Sequence, residues 1–114
     1  MHDHAAQHQP ADLSTLTTEL SAEAADVTAR RASRTVISGT AQRVTLTALL
    51  AGAELGEHAS PHPASLQVLH GEIELHLGER VIKVRASELL AVPPQRHSLR
   101  AVTDAAILLT VAVG

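Results

Sequence analysis

Imidazole side chains are the groups in this sequence best suited to chemistry, and several of them are crowded around two prolines. The stretch GEHASPHPASLQVLHG, residues 56–71, contains His58 and His62, and a further histidine, His97, follows a Pro-Pro pair. Neutral imidazole is a good ligand for Zn, Fe(II), Ni and Cu. The prolines that flank His62 hold the chain extended and donate no ladder hydrogen bonds. If the strand stays extended, residues 58 and 62 share one face, and both side chains would point into the same space.

The other histidines are interpreted as surface or tail residues. His70 directly precedes a glycine turn, and His76 lies on the same strand face as Glu72 and Glu74. Polar residues of these types are usually solvated. Residues 1–11, MHDHAAQHQPA, are polar and are predicted to form a disordered, His-rich tail that would bind stray metal only weakly.

A helix is predicted to follow this tail, over about residues 13–30. Asp12 is a plausible N-cap, and Arg30 and Arg31 lie where the dipole at the end of a helix favours cations. One apolar stripe recurs at spacings of three and four, formed by Leu13, Leu16, Leu20, Ala24 and Val27. This narrow stripe must be covered, either by the chain's own sheet or by a partner subunit.

The rest of the chain has the two-residue period of β-strands. In GEIELHLGE, residues 71–79, the apolar residues Ile73, Leu75 and Leu77 alternate with polar ones. The stretch RVTLTALL, residues 43–50, alternates in the same way, which predicts a half-buried strand. Further strands are predicted over 34–38, 81–84, 88–92, 98–102 and 106–113, separated by glycine, proline and aspartate turns. Eight or nine short strands in about 80 residues predict an all-β sandwich or small barrel.

The histidines and the strands together resemble the cupin family, whose members are small β-barrels with two sequence motifs. The first motif runs Gly, five residues, His, one residue, His, three or four residues, Glu, six residues, Gly. In this chain Gly52, His58 and Gly71 match it at the right spacing, whereas Ser60 occupies the second histidine position and Ala64 the glutamate position.

The second cupin motif runs Gly, five residues, Pro, then a turn and a His. Here Ser87 replaces the glycine, Pro93 matches, and His97 arrives one residue early. The resemblance covers about residues 40–113. It implies a double-stranded β-helix, or jelly-roll, barrel with one N-terminal α-helix. The predicted divisions are a tail over 1–11, the helix and a linker over 12–33, and the barrel over 34–114.

The metal site of the family departs from its usual pattern in this chain. Metal-binding cupins use three histidines and a glutamate, of which this chain keeps His58 and His97. His62 lies two positions beyond the vacant place at Ser60. We therefore predict a three-imidazole site for a divalent transition metal (Zn, Fe, Ni or Cu) formed by His58, His62 and His97, with Arg96 placed to meet an anionic ligand at the barrel mouth.

Composition excludes several other classes of function. The chain of 114 residues contains no Phe, Tyr, Trp or Cys and has a net charge of −3. Without cysteine there are no disulfides, thiolate metal sites or cysteine nucleophiles. Without a basic block or aromatic stacking platforms, nucleic-acid binding is not expected. No apolar run is long enough to span a membrane and no secretory signal is evident, so a cytoplasmic protein is expected.

Two hypotheses of function follow. The first is a small metalloenzyme, similar to a dioxygenase or an isomerase, that acts on a small molecule. The second is a non-catalytic cupin that binds a small ligand or an ion for sensing or storage. The loss of the motif glutamate favours the second hypothesis, and the proline-framed His62 favours the first. The resemblance also implies a homodimer, since small cupins often pair through sheet edges.

Overall fold

The structure, a computed structural model, describes residues 9–58 and 63–113, with the backbone alone at 57 and 58. One helix, α1 (Leu13–Ala25), precedes the strands in the chain. The described residues form nine strands: β1 (Arg31–Ser38), β2 (Gln42–Leu49), β3 (Glu54–His58), β4 (Ala64–His70), β5 (Glu72–Leu77), β6 (Arg80–Arg85), β7 (Leu89–Ala91), β8 (His97–Ala101) and β9 (Ala105–Ala112).

The strands form two antiparallel sheets, between which the chain passes repeatedly. The five-stranded sheet has the order β1-β2-β9-β4-β7, and the four-stranded sheet has the order β3-β8-β5-β6. Consecutive strands from β2 to β5 alternate between the sheets, as do β6 to β9. This two-sheet, all-β arrangement with one N-terminal helix is the predicted fold class.

The main core lies between the two sheets and is built from aliphatic side chains. On β5, Ile73, Leu75 and Leu77 are buried, as their alternation predicted. They pack with residues from the facing sheet, including Leu66, Val68 and Ile107. Because the chain has no aromatic residues, branched aliphatic side chains fill this space, and their shape suits a pleated surface.

The helix begins as predicted but ends earlier. Asp12 caps its first turn by accepting a hydrogen bond from the backbone N–H of Thr15 at 3.1 Å, and this bond lowers the pKa of the Asp12 carboxyl. The helix ends at Ala25, so the prediction that it reaches residue 30 is wrong. Arg30 has a positive φ of 58° and turns the chain into β1, which already pairs Arg31 with Leu49. The demands of that strand pairing outweigh the helical period.

The apolar stripe of the helix packs on the chain's own sheet. The sequence left open whether this sheet or a partner subunit covers the stripe, and the structure shows the first arrangement. Leu20 and Ala24 are fully buried, and Leu20 belongs to a second core with Leu46 and Ala48 of β2. Thr47 and Leu49 of the same strand are buried on the opposite face. Strand β2 is therefore covered on both sides, whereas its alternating sequence predicted a half-buried strand.

Two positions that align with glycines of the cupin motifs, Gly71 and Ser87, have positive φ angles. Gly71 has a φ of +78°, and a Cβ atom there would clash with the carbonyl oxygen of Asp104, so only glycine fits. Ser87, which replaces the glycine of the second motif, also has a positive φ of 77°. The serine therefore occupies a left-handed conformation that glycine adopts without steric strain.

No helix among the described residues has the length and apolar character needed to cross a membrane.

Candidate functional site

His97 is the predicted ligand that the structure describes in most detail. It is the first residue of β8, and its side chain is only 4% exposed. The inward-facing positions of β8 are His97, Leu99 and Ala101, all buried, while Arg100 faces solvent. The period of two thus directs the imidazole into the space between the two sheets.

The His97 side chain lines a small cavity whose other described walls are apolar. These walls come from both sheets: Leu55, Leu66, Leu75, Val92, Leu99, Ile107 and Leu109. The cavity has a volume of about 40 Å³. One water molecule takes up about 30 Å³ in the liquid, and pockets for organic ligands usually measure about 300–1,000 Å³. The interior that these residues enclose is thus large enough for an ion or a water molecule but not for an organic substrate.

A backbone carbonyl fixes the orientation of the imidazole. Nδ1 of His97 lies 2.9 Å from the carbonyl oxygen of Gln95. A carbonyl oxygen only accepts hydrogen bonds, so Nδ1 is the donor and carries a proton. In the neutral ring the lone pair is then on Nε2. Histidines that bind metals commonly use this arrangement, in which one ring nitrogen donates to a carbonyl or a carboxylate and the other binds the ion.

A bulge in β3 brings the backbone of His58 into register with His97. Leu55 pairs with Leu99 across the β3–β8 ladder, and the next pair is His58 with His97. Three steps along β3 therefore match two steps along β8, which is the signature of a β-bulge. Without the extra residue, position 57 would lie opposite His97. Sequence reasoning placed residues 58 and 97 in one barrel but did not foresee this irregularity.

The remaining predicted site residues are only partly defined. His62 and Ser60 lie outside the described residues. Ala64, at the glutamate position of the motif, begins β4, is half-buried and offers no donor atom for a metal. Arg96 is exposed, next to His97, where the chain enters β8. Among the described side chains, no group of three His, Cys, Asp or Glu residues is close enough together to hold a metal ion.

The two histidines assigned to the surface have accessible side chains. His70 is exposed at the end of β4. His76 lies on the outer face of the four-stranded sheet, where its Nε2 is 3.2 Å from a carboxylate oxygen of Glu74.

Sequence reasoning missed the hydrogen-bond partner of His97, which is the Gln95 carbonyl. The Pro93–Pro94 pair just before Gln95 is the signal that could have indicated a rigid turn there.

Comparisons with solved structures support the fold, whereas comparisons of the sequence found no match. Neither a protein-family model nor a curated protein matches the sequence. Among solved structures, the conserved protein SPY1581 of unknown function from Streptococcus pyogenes has a TM-score of 0.72 and 23% identity, over 94% of this chain and 89% of that one. An RmlC-like cupin protein from Desulfovibrio desulfuricans has a TM-score of 0.66 and 29% identity, over 72% and 81%.

A larger enzyme contains the same fold within a longer chain. A variant of salicylate 1,2-dioxygenase from Pseudoaminobacter salicylatoxidans has a TM-score of 0.72 and 18% identity, over 86% of this chain but 32% of the enzyme. At this level of identity the likeness concerns the fold alone. The three solved structures therefore share the fold of this chain.

Proposed function

We propose, from the premise that this chain is a small member of the cupin superfamily, that it binds one divalent transition metal ion in its barrel. The ligands would be the imidazoles of His58, His62 and His97. The observation that carries the proposal is the state of His97, which is buried in an apolar cavity with its Nδ1 proton donated to the Gln95 carbonyl.

The described residues that surround the His97 ring are aliphatic, so the imidazole is a polar group in a largely apolar interior. Its Nδ1 donates to the Gln95 carbonyl. A metal ion bound at Nε2 would use the lone pair that this tautomer leaves on that nitrogen. The orientation imposed by Gln95 supports this interpretation because it presents Nε2 as the metal-binding nitrogen.

The backbone pairing of His58 with His97 supports His58 as the second ligand of the proposed site. Residues directly opposite each other on antiparallel strands typically have Cβ atoms about 5 Å apart. That separation is short enough for two imidazoles to bind one ion. The third ligand, His62, rests on the sequence argument, since its two flanking prolines favour an extended chain.

The protein's own groups would prepare the site, and the ion would supply the reactivity. A divalent ion bound there would act as a Lewis acid on a substrate oxygen or would activate dioxygen. Gln95 would hold the His97 ring in place, and the aliphatic walls would exclude water and strengthen the electrostatic interactions inside. An enzyme similar to a dioxygenase or an isomerase would use these features, and a substrate would have to approach from the barrel mouth.

A second candidate function is non-catalytic binding of an ion or a small ligand. Two observations favour it: Ala64 provides no carboxylate, and the described cavity of about 40 Å³ leaves no room for an organic molecule. Arg96, exposed beside His97, would attract an anion at the mouth in this case. Tight metal binding without oxygen uptake or turnover of any diketone, thiol or hydroxy acid would favour this function.

Metal content provides the direct test. Protein reconstituted at neutral pH with Fe(II), Zn, Ni or Cu is expected to retain about one ion per chain by elemental analysis. The variants His58→Ala and His62→Ala should each weaken retention about tenfold or more, because each removes one ligand. His76→Ala is the matched control and should retain the metal.

All samples in this test should carry alanine at the tail positions 2, 4 and 8, so that tail histidines contribute no metal. Circular dichroism should confirm that each variant is folded. The proposal is contradicted if the reconstituted wild-type barrel holds no metal, or if the two ligand variants retain as much as the His76→Ala control.

A further inference from the structure

The walls of the cavity beside His97 have little capacity for hydrogen bonding. The seven described side chains that line the cavity together with His97 are all Leu, Val or Ile. Their backbone groups add little, because Leu66, Leu75 and Ile107 lie on strands that are paired with a neighbouring strand on both sides. Apart from the imidazole, the described walls therefore present an apolar surface.

The composition of the chain explains why a space remains between the sheets. Phe, Tyr and Trp are absent, so aliphatic side chains alone must fill the core. They leave a volume of about 40 Å³ next to His97. Protein interiors are close-packed and contain few voids larger than a water molecule. A space of this size inside the main core is therefore a candidate binding site in its own right.

Water is a poor occupant of this cavity. A buried water molecule typically makes about three hydrogen bonds. Among the described walls, the imidazole of His97 supplies the polar side-chain atoms, and its Nδ1 donates to the Gln95 carbonyl. The side chains of these walls therefore offer a water molecule at most one hydrogen bond, at Nε2. Apolar cavities with so few polar partners stay dry.

The volume of the cavity limits its occupant to a very small molecule. An engineered apolar cavity of about 150 Å³ holds benzene, which has six carbon atoms. With the same space per atom, the volume of about 40 Å³ accommodates roughly two non-hydrogen atoms. The occupant must also be uncharged, because aliphatic walls do not compensate for the lost hydration of an ion.

We propose that this cavity binds a diatomic, apolar gas molecule, of which dioxygen is the representative. Such a molecule needs no hydrogen bonds and gains dispersion contacts with the aliphatic walls around it. Because His97 forms part of the wall, the gas is held next to a ligand of the proposed metal ion. Use of dioxygen as a co-substrate rests on the proposed function, whereas binding of the gas rests on the aliphatic walls alone.

This assignment changes what the small volume implies about the two candidate functions. A cavity of about 40 Å³ excludes an organic substrate, which favours non-catalytic binding if the substrate has to enter it. If the cavity holds only the gas, the organic substrate stays at the barrel mouth and the small volume is no obstacle to an enzyme similar to a dioxygenase.

Methyl-group NMR of the full chain without metal, under xenon and separately under dioxygen, tests the proposal. Xenon is an inert probe that binds dry apolar cavities, and dioxygen is paramagnetic and speeds the relaxation of nearby methyl groups. Both gases should act on the methyl groups that line the cavity, including those of Leu66, Leu75, Leu99 and Ile107. Leu20 and Leu46 of the second core are buried as deeply and provide an internal control that should change little.

The substitution Val92→Ile adds one methyl group to the cavity wall. The backbone N–H of Val92 donates to the Ala64 carbonyl at 2.9 Å, which fixes the position of its side chain. Val92→Ile should lower xenon affinity about tenfold or more, because the cavity has no room to spare. Val84→Ile is the matched control, since Val84 is buried in the same core but is not among the described residues that line the cavity.

A second variant, Leu109→Val, removes a methylene group from the wall and should raise xenon binding. Circular dichroism should confirm that each variant is folded. The proposal is overturned if neither gas affects the cavity methyl groups, if both cores respond equally, or if magnetisation transfer shows water in contact with these methyl groups.

The metal-free sample keeps this outcome separate from that of the metal site. Gas binding by a chain that retains no metal would support the cavity assignment and remove the role of the gas beside an ion. Metal retention without gas binding would overturn the cavity assignment alone. If both are bound, Val92→Ile should slow oxygen uptake while the metal content stays unchanged, and unchanged uptake would contradict the co-substrate role.

Discussion

The substitution His97→Leu tests whether His97 serves to bind a metal or to stabilise the fold. We expect the stability of the metal-free variant to lie within about 1 kcal/mol of that of the wild type, and we expect the variant to lose the metal. Leucine loses the hydrogen bond from Nδ1 to the Gln95 carbonyl, which is worth about 1 kcal/mol net. Gln95 is exposed, so water would replace that donor at little cost.

One gain opposes this loss. Leucine makes apolar contacts with the seven aliphatic side chains around position 97. The neighbouring cavity of about 40 Å³ provides space for the branched end of the side chain, so overpacking is limited. The gain and the loss are of similar size, so the expected change in stability is within about 1 kcal/mol, or no more than roughly 4–8 °C in Tm for a domain of this size.

The assay is urea unfolding with a chelator present, followed by circular dichroism, with metal content measured on a parallel sample. The wild type and His97→Leu should unfold with similar dependence on urea, so that the midpoints report stability directly. A metal-free variant destabilised by more than about 2 kcal/mol would refute the reasoning, because it would show that the imidazole holds the fold together by its own hydrogen bonds. Unchanged metal retention would refute it equally.

Two further predictions concern the backbone and the helix cap. Ser87→Gly should stabilise the fold by up to about 1 kcal/mol in urea unfolding, since glycine relieves the positive φ of 77° at a small entropic cost; a loss of stability would show that the serine side chain is needed. The lowered pKa of Asp12 implies that its contribution is complete above the unfolded-state pKa and is lost as the pH falls through the lower folded-state value. Thermal melts should therefore show wild type and Asp12→Asn closest in stability in acid, below about pH 4, with the wild-type advantage growing as the pH rises to 7; a constant difference across this range would contradict the role of the charge.

Local patterns in the sequence predicted much of the fold. The alternation in residues 72–77 gives β5 with its three buried apolar residues, and Asp12 caps the helix that the stripe from Leu13 to Ala24 predicts. These features depend on neighbouring residues and on the repeat of a strand or a helix. The prediction failed at the end of the helix because Arg31 is already required for pairing with Leu49.

The candidate site was predicted less completely because its geometry depends on distant parts of the chain. His97 was identified from its place after a Pro-Pro pair, and its burial among aliphatic side chains follows from the alternation of β8. Its carbonyl partner at Gln95 depends on the exact path of the turn. The contribution of His62 remains a prediction from the sequence.

The amino-acid sequence by itself determined which residues face inward on β5 and β8, where the helix begins, and which histidine follows the Pro-Pro pair, because each of these follows from a short repeat or from an adjacent turn. Only the tertiary structure decided that the helix covers β1 and β2 of its own sheet, and that a bulge in β3 sets His58 opposite His97. These outcomes depend on contacts between segments that are distant in the sequence, such as Leu20 with Leu46 and His58 with His97. A shift of one residue reverses every side chain of a strand, and no local pattern specifies where such a shift occurs.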